Sequence, residues 1–139
     1  MTDDRRPSPA DVPLHTYQLP GGWTVLAGKT DRANEYLSLK LAAPRDLWFH
    51  IRGMPGSHVV LRVPAGATVD RPTKELAASI AAYHSKARGA GTVAVSCCEA
   101  QHVAKPKGAP AGTVSISKET VLKVKPATDE AIAALRAPA

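Results

Sequence analysis

Hydrophobic residues recur at every second position in some stretches of the chain and at every third or fourth in others, and these spacings predict its elements. The run Leu47-Trp48-Phe49-His50-Ile51 alternates as a strand does. Residues 57–63 read as its return, and Gly53-Met54-Pro55-Gly56 supplies turn chemistry between the two. Upstream, 15–18 and 23–27 form another strand pair around Leu19-Pro20-Gly21-Gly22, and Gly28 ends the second strand. Ala33, Leu37 and Leu41 share one helical face, which predicts a helix over 32–42 capped by Asp31 and stopped by Pro44. A second helix is predicted over 74–88, with Thr73 as cap and Leu76, Ile80, Tyr83 and Ala87 on its apolar face. Lys86 and Arg88 fall in its last turn and Gly89 ends it. Strand-like runs follow at 92–97, 113–117 and 120–125, and Thr128 can cap a short helix over 129–135.

Strands come first, helices are interspersed, and the late strands follow directly on one another. That order predicts one compact α+β domain, a largely antiparallel sheet with two main helices packed on it. A length of 139 residues suits a single core. The Pro-rich, charged stretch 1–13 reads as a disordered lead-in, 14–126 as the domain, and 127–139 as a tail able to form a short helix.

Composition narrows the partners. Lys and Arg number 18 against 12 Asp and Glu, a net charge of +6 that favours polyanions. No run approaches the roughly 18–20 apolar residues that cross a bilayer, and the polar start lacks a secretory h-region, so a cytoplasmic protein without a membrane partner is expected. Cys97 and Cys98 are adjacent; in a strand they point to opposite faces, and a reduced pair is expected. No zinc-type spacing occurs, and no cofactor or metal is expected.

The candidate chemistry centres on the segment from Asp46 to Arg62. If Leu47, Phe49 and Ile51 face the core, then Trp48, His50, Arg52, His58 and Arg62 share the opposite surface, where flat rings could stack on bases and cations meet phosphates. The alternative is that a helix covers this face, with Trp48 in the core and His50 hydrogen-bonded. Lys105 and Lys107 sit in a loop stiffened by Pro106, Gly108 and Pro110, either approaching phosphates or simply solvated. The Ser85–Arg88 helix end is equally open to charge capping and to anion contact. Gly28-Lys29-Thr30-Asp31-Arg32 lacks the glycine pattern of a nucleotide loop, which argues against a nucleoside triphosphate site. Among His50, His58, His84, Cys97, Cys98 and His102 no nucleophile–base or metalloenzyme spacing appears, so no catalytic residue is expected.

Several separated motifs resemble one family. Asp46-Leu47-Trp48-Phe49-His50-Ile51 with Pro55-Gly56-Ser57-His58-Val59-Val60 is similar to the signature of the NFACT-R domain, the RNA-binding module of the NFACT proteins. In the same order, Gly28 to Leu37 (including Asn34), Ala81 to Arg88, Lys105-Pro106-Lys107-Gly108 and Gly112-Thr113-Val114 resemble further family stretches, over about 21–126. The large members act in ribosome-associated quality control: they recognise the large ribosomal subunit carrying obstructed peptidyl-tRNA and recruit tRNA to extend the stalled chain. The resemblance implies a stand-alone, non-catalytic RNA-binding domain of the translation machinery, with tRNA or ribosomal RNA as ligand, the large subunit as a candidate partner and no preference for DNA. On this reading Lys29, Arg32, Arg52, Lys86, Arg88, Lys105 and Lys107 face phosphates, His50 and His58 make polar contacts, and Asn34 belongs to the same interface. The rival is an accessory factor or enzyme in RNA modification, with His50, His58 or Cys97 acting on RNA bound by that surface.

Overall fold

The structure is a computed structural model that describes residues 12–138, so most of the expected lead-in lies outside the described residues. The elements run β1 (Leu14–Leu19), β2 (Trp23–Gly28), α1 (Asp31–Tyr36), β3 (Leu47–Ile51), β4 (Val59–Leu61) and α2 (Arg71–Tyr83). They continue as β5 (Val93–Glu99), β6 (Val103–Ala104), β7 (Ser115–Ile116), β8 (Thr120–Val124) and α3 (Asp129–Leu135). Six strands form one sheet in the order β1-β2-β4-β3-β5-β8, every neighbouring pair antiparallel, while β6 and β7 pair separately. The expected α+β architecture is therefore present.

Both faces of the sheet are covered, and strand alternation decides what each receives. Phe49, Ile51, Val59, Leu61, Val25, Val95 and Cys97 point to one side, where Ala77, Ala78, Ile80, Ala81 and Ala82 of α2 and Ile132 of α3 pack on them. The run of alanines keeps α2 close to the strands. Trp48, Val60 and Cys98 point to the other side and meet Leu37, just beyond α1, and Val103 of β6. Cys97 and Cys98 thus lie on opposite faces, both buried and unbridged, as the strand reading requires.

Helix boundaries differ from the sequence expectation for local reasons. Thr30, not Asp31, caps α1 by accepting from Ala33 N–H at 3.0 Å. The chain then widens into a π-type turn over Leu37–Leu41, in which Ala42 N–H donates to Leu37 O, five residues back. Asp70, not Thr73, caps α2: its carboxylate accepts from Thr73 N–H at 2.8 Å, with Pro72 in the first turn. α2 stops at Tyr83 instead of running to Arg88, because the backbone of 84–86 leaves the helix to bond the β3–β4 turn. The return strand is shorter than 57–63, and the two-residue strand β6 was not expected from the sequence pattern. The expected tail helix is α3, capped by Thr128. Among the described residues no helix is long and apolar enough to cross a membrane.

Candidate nucleic-acid interface

Four chain segments converge at one end of the sheet: the β2–α1 junction, the β3–β4 turn, the end of α2, and the loop before β7. Backbone bonds hold them together. Ser57 N–H donates to His84 O (2.8 Å), Lys86 N–H to Pro55 O (3.4 Å) and Gly28 N–H to His58 O (3.1 Å). Gly56 and Ser85 form an isolated bridge between the turn and the helix end. Two glycines permit this approach. A Cβ on Gly28 would stand 2.1 Å from Asn34 Oδ1, and one on Gly56 would stand 2.8 Å from Ser85 Cβ.

The segments enclose an open cleft of about 580 Å³ lined by Lys29, Asn34, His50, His58, Lys86 and Gly112, among others. Lys29 and Lys86 are exposed at its rim, and among the described residues neither is paired with a carboxylate. Asn34 is buried beneath and accepts from His58 N–H at 3.0 Å, so its role is to hold the wall. His50 is half-buried, with a ring 5.9 Å from Trp48 in near-parallel stacking and 5.5 Å edge-on to His58.

The expectation of one exposed Trp/His/Arg surface needs correction. Trp48 is 2 % exposed and His58 4 %, because the π-type turn after α1 covers this face of the sheet. Trp48 Nε1–H donates to Ser38 Oγ at 2.9 Å, and that oxygen lies 2.7 Å from His58 Nδ1. Once Ser38 accepts from the indole, its own hydroxyl proton is available to His58, which leaves the imidazole proton on Nε2. Burial pushes His58 down to about 4, and His50 adds to the effect, so the ring is neutral at physiological pH. Burial likewise lowers His50.

The remaining candidates disperse. Arg52 lies outside the cleft, 3.9 Å from Glu119, and Arg62 is paired with the buried Asp46 at 3.1 Å. Arg32 is exposed on α1 and lines a separate cavity of about 590 Å³ with Tyr36 and Leu39. Lys105 is 3.0 Å from Glu35, which also accepts from Gly112 N–H at 3.2 Å. Lys107 is exposed in the same loop. Arg88 sits beside the cleft, over the Tyr83 ring at 3.9 Å. Sequence reasoning did not place His84 with the cleft residues; it lines the cleft, and burial, then His15, Arg88 and Arg136, lower its pKa to about 4. Its position two residues before Lys86 was the available signal.

The cleft can receive a polyanion between two cations, and its inner wall of neutral imidazoles offers hydrogen bonds. Cys97 and Cys98 supply no reactive thiolate there, since burial raises both to about 11.

Comparisons with known proteins agree on one relationship. The family profile described as "NFACT protein RNA binding domain" matches residues 14–118. The chain is 40 % identical over 128 residues to the "Rqc2 homolog RqcH" of Bacillus subtilis, a stretch covering 92 % of this chain and 22 % of that protein. The protein of the same name from Streptococcus suis is 37 % identical over 110 residues, 79 % of this chain and 20 % of the relative. The chain thus spans about a fifth of these relatives' length. A solved structure, the C-terminal part of the fibronectin/fibrinogen-binding protein from Streptococcus suis, superposes with a TM-score of 0.83 at 32 % identity, over 99 % of this chain and 52 % of that one.

Proposed function

This chain belongs to the family of NFACT protein RNA binding domains, and from that premise we propose that its cleft grips the backbone of structured RNA, with tRNA or ribosomal RNA as ligand. The observation that carries this is the pair Lys29 and Lys86, which line one cleft from two segments, each with its backbone N–H bonded to a neighbouring segment (Pro13 O and Pro55 O), and which are unpaired among the described residues. Two cations at one cleft that have no carboxylate partner to give up are free to meet phosphates. Such contacts read backbone shape, not base sequence, which suits a folded RNA.

The protein acts by binding alone, in the cytoplasm, and serves ribosome-associated quality control in company with the large ribosomal subunit. Two observations support a non-catalytic reading: the thiols are buried with raised pKa, and the His58 imidazole is engaged by Ser38. No preference for DNA is part of the proposal, because an A-form groove and 2′-hydroxyls distinguish RNA.

Titration of tRNA, ribosomal RNA fragments and duplex DNA across a salt series tests it. Affinity should fall steeply with salt and favour RNA; K29A and K86A should each weaken binding about three- to ten-fold and each lower the salt slope by roughly one. Absent binding at low salt, or a flat salt dependence, overturns the proposal. Product formation on RNA that H50A abolishes without loss of affinity would favour the modification enzyme instead.

A further inference from the structure

The cleft leaves a second group of side chains unexplained, at the corner where β1 meets the end of α3. There the His15 ring lies on the His84 ring, 4.5 Å between centroids and 18° from parallel. His84 is shared, since it also lines the cleft. Its Nε2 is 2.6 Å from the buried Tyr17 hydroxyl. Arg136, just past α3, reaches back over β1: its guanidinium is 2.9 Å from His15 Nδ1 and 3.4 Å from Tyr17 Oη. Its backbone is pinned by a bridge to Tyr17, and the next residue, Ala137, donates N–H to Thr16 O at 2.9 Å. On the other flank Arg88 stacks over Tyr83 and donates Nε–H to Tyr83 O at 2.9 Å.

Both guanidinium groups are thus held in place. Burial first, then Arg136, Lys29 and Arg88, lower the pKa of His15, so the imidazole is neutral and can accept from Arg136. Asp129 is engaged by the Tyr83 hydroxyl at 2.7 Å. Among the described residues neither Arg88 nor Arg136 makes an ion pair. A strap tying α3 to β1 would need only the backbone bonds. Held cations beside the two half-exposed imidazoles of His15 and His84, with the nearby Asp129 carboxylate engaged by Tyr83 and forming no ion pair with either arginine, instead describe a site for an anion with an aromatic part.

We propose that His15, Arg88 and Arg136 form a second nucleotide subsite, in which a base from a single-stranded RNA segment stacks on the ring face of His15 turned away from His84 while its flanking phosphates meet the two arginines. The inference rests on the RNA-binding reading and deepens it: the RNA track runs from the Lys29–Lys86 cleft past His84 to α3. Arg136 lies beyond the family match, which ends at residue 118.

Fluorescein-labelled 12-nucleotide oligouridylate, and the same backbone without bases, would be titrated into wild type, H15A, H15F, R136Q and the K29A/K86A double variant over a salt series. H15A should weaken oligouridylate binding roughly 5- to 100-fold, the worth of one base–aromatic stack, while H15F restores most of it. The base-free probe should not sense H15A. R136Q should lower the salt slope by about 0.7, the single-strand value per phosphate. Thermal melts verify the fold, which the exposed Arg136 and the ring-preserving H15F are chosen to leave intact. If H15A and R136Q bind like wild type while K29A/K86A is weak, the subsite is refuted and the cleft stands. Equal loss in H15A and H15F refutes stacking. No oligouridylate or tRNA binding by wild type refutes both readings.

Discussion

At the residue scale, Asp46 does for the fold what the lysines do for the ligand. It is 1 % exposed, and its two oxygens accept from Ala43 N–H (2.9 Å) and Val63 N–H (2.8 Å) while Arg62 closes the pair. Asp46→Ala strands two amides and a guanidinium together, so it should cost about 3–5 kcal/mol in urea denaturation, whereas Arg62→Ala, which removes a partly exposed cation and leaves Asp46 its two amide donors, should cost less. His58 makes a second residue-scale prediction. Unfolded, its imidazole titrates near 6.5; folded, near 4. Between these values the unfolded chain binds the extra proton, so the stability is full above about pH 6.5 and drains away as pH falls toward 4. That loss should reach roughly 3 kcal/mol for His58, with a smaller, solvent-screened share from His84. Denaturation curves at pH 7.5 and 4.5 should show it, and H58Q should show a distinctly smaller difference; equal slopes in the two proteins would contradict the assignment.

At the scale of elements, the loop between β6 and β7 is fastened to α1 through Glu35, which holds both Lys105 and the Gly112 amide. Glu35→Gln keeps an acceptor for Gly112 but releases Lys105. Stability should change by less than about 1 kcal/mol, as for exposed ion pairs, while RNA affinity rises two- to five-fold and the salt slope steepens, read by the same titrations. An unchanged slope would mean that Lys105 does not reach RNA. The elements also explain what could be read beforehand. β1, β2, β3 and β5 were legible because alternation and turn residues agree there. The end of α2 was not: Tyr83 and Ala87 keep helical spacing and both are buried, yet their burial comes from a helix end and a following turn, and periodicity cannot tell these apart. The π-type turn has no spacing signature, and it is what buries Trp48. Lys29, His50, His58 and Lys86, which the fold gathers around one cleft, were singled out by strand alternation, charge and family motifs, whereas the contact of His15 with Arg136 was not legible, because 121 positions separate them and only the fold brings them together.

At the scale of the whole molecule, a sheet covered on both faces leaves its open cleft at one end, where loops and helix ends meet, so the shape of that cleft depends on how those ends are stitched together. Cleft and corner share His84, so binding at the two should be coupled. Wild type should bind an RNA spanning both with more affinity than either part provides alone, measured by comparing oligonucleotides of graded length. The pairing of Tyr17 with Arg136 has a different consequence. It brings the two extremities of the folded body side by side, so the unit can be spliced into a longer polypeptide as a cassette, or have its ends joined by a few glycines and be reopened elsewhere. A circular permutant cut at the exposed Ala65–Gly66 turn should fold, melt cooperatively and keep its RNA affinity, since chain order would change while every contact that shapes the cleft survives.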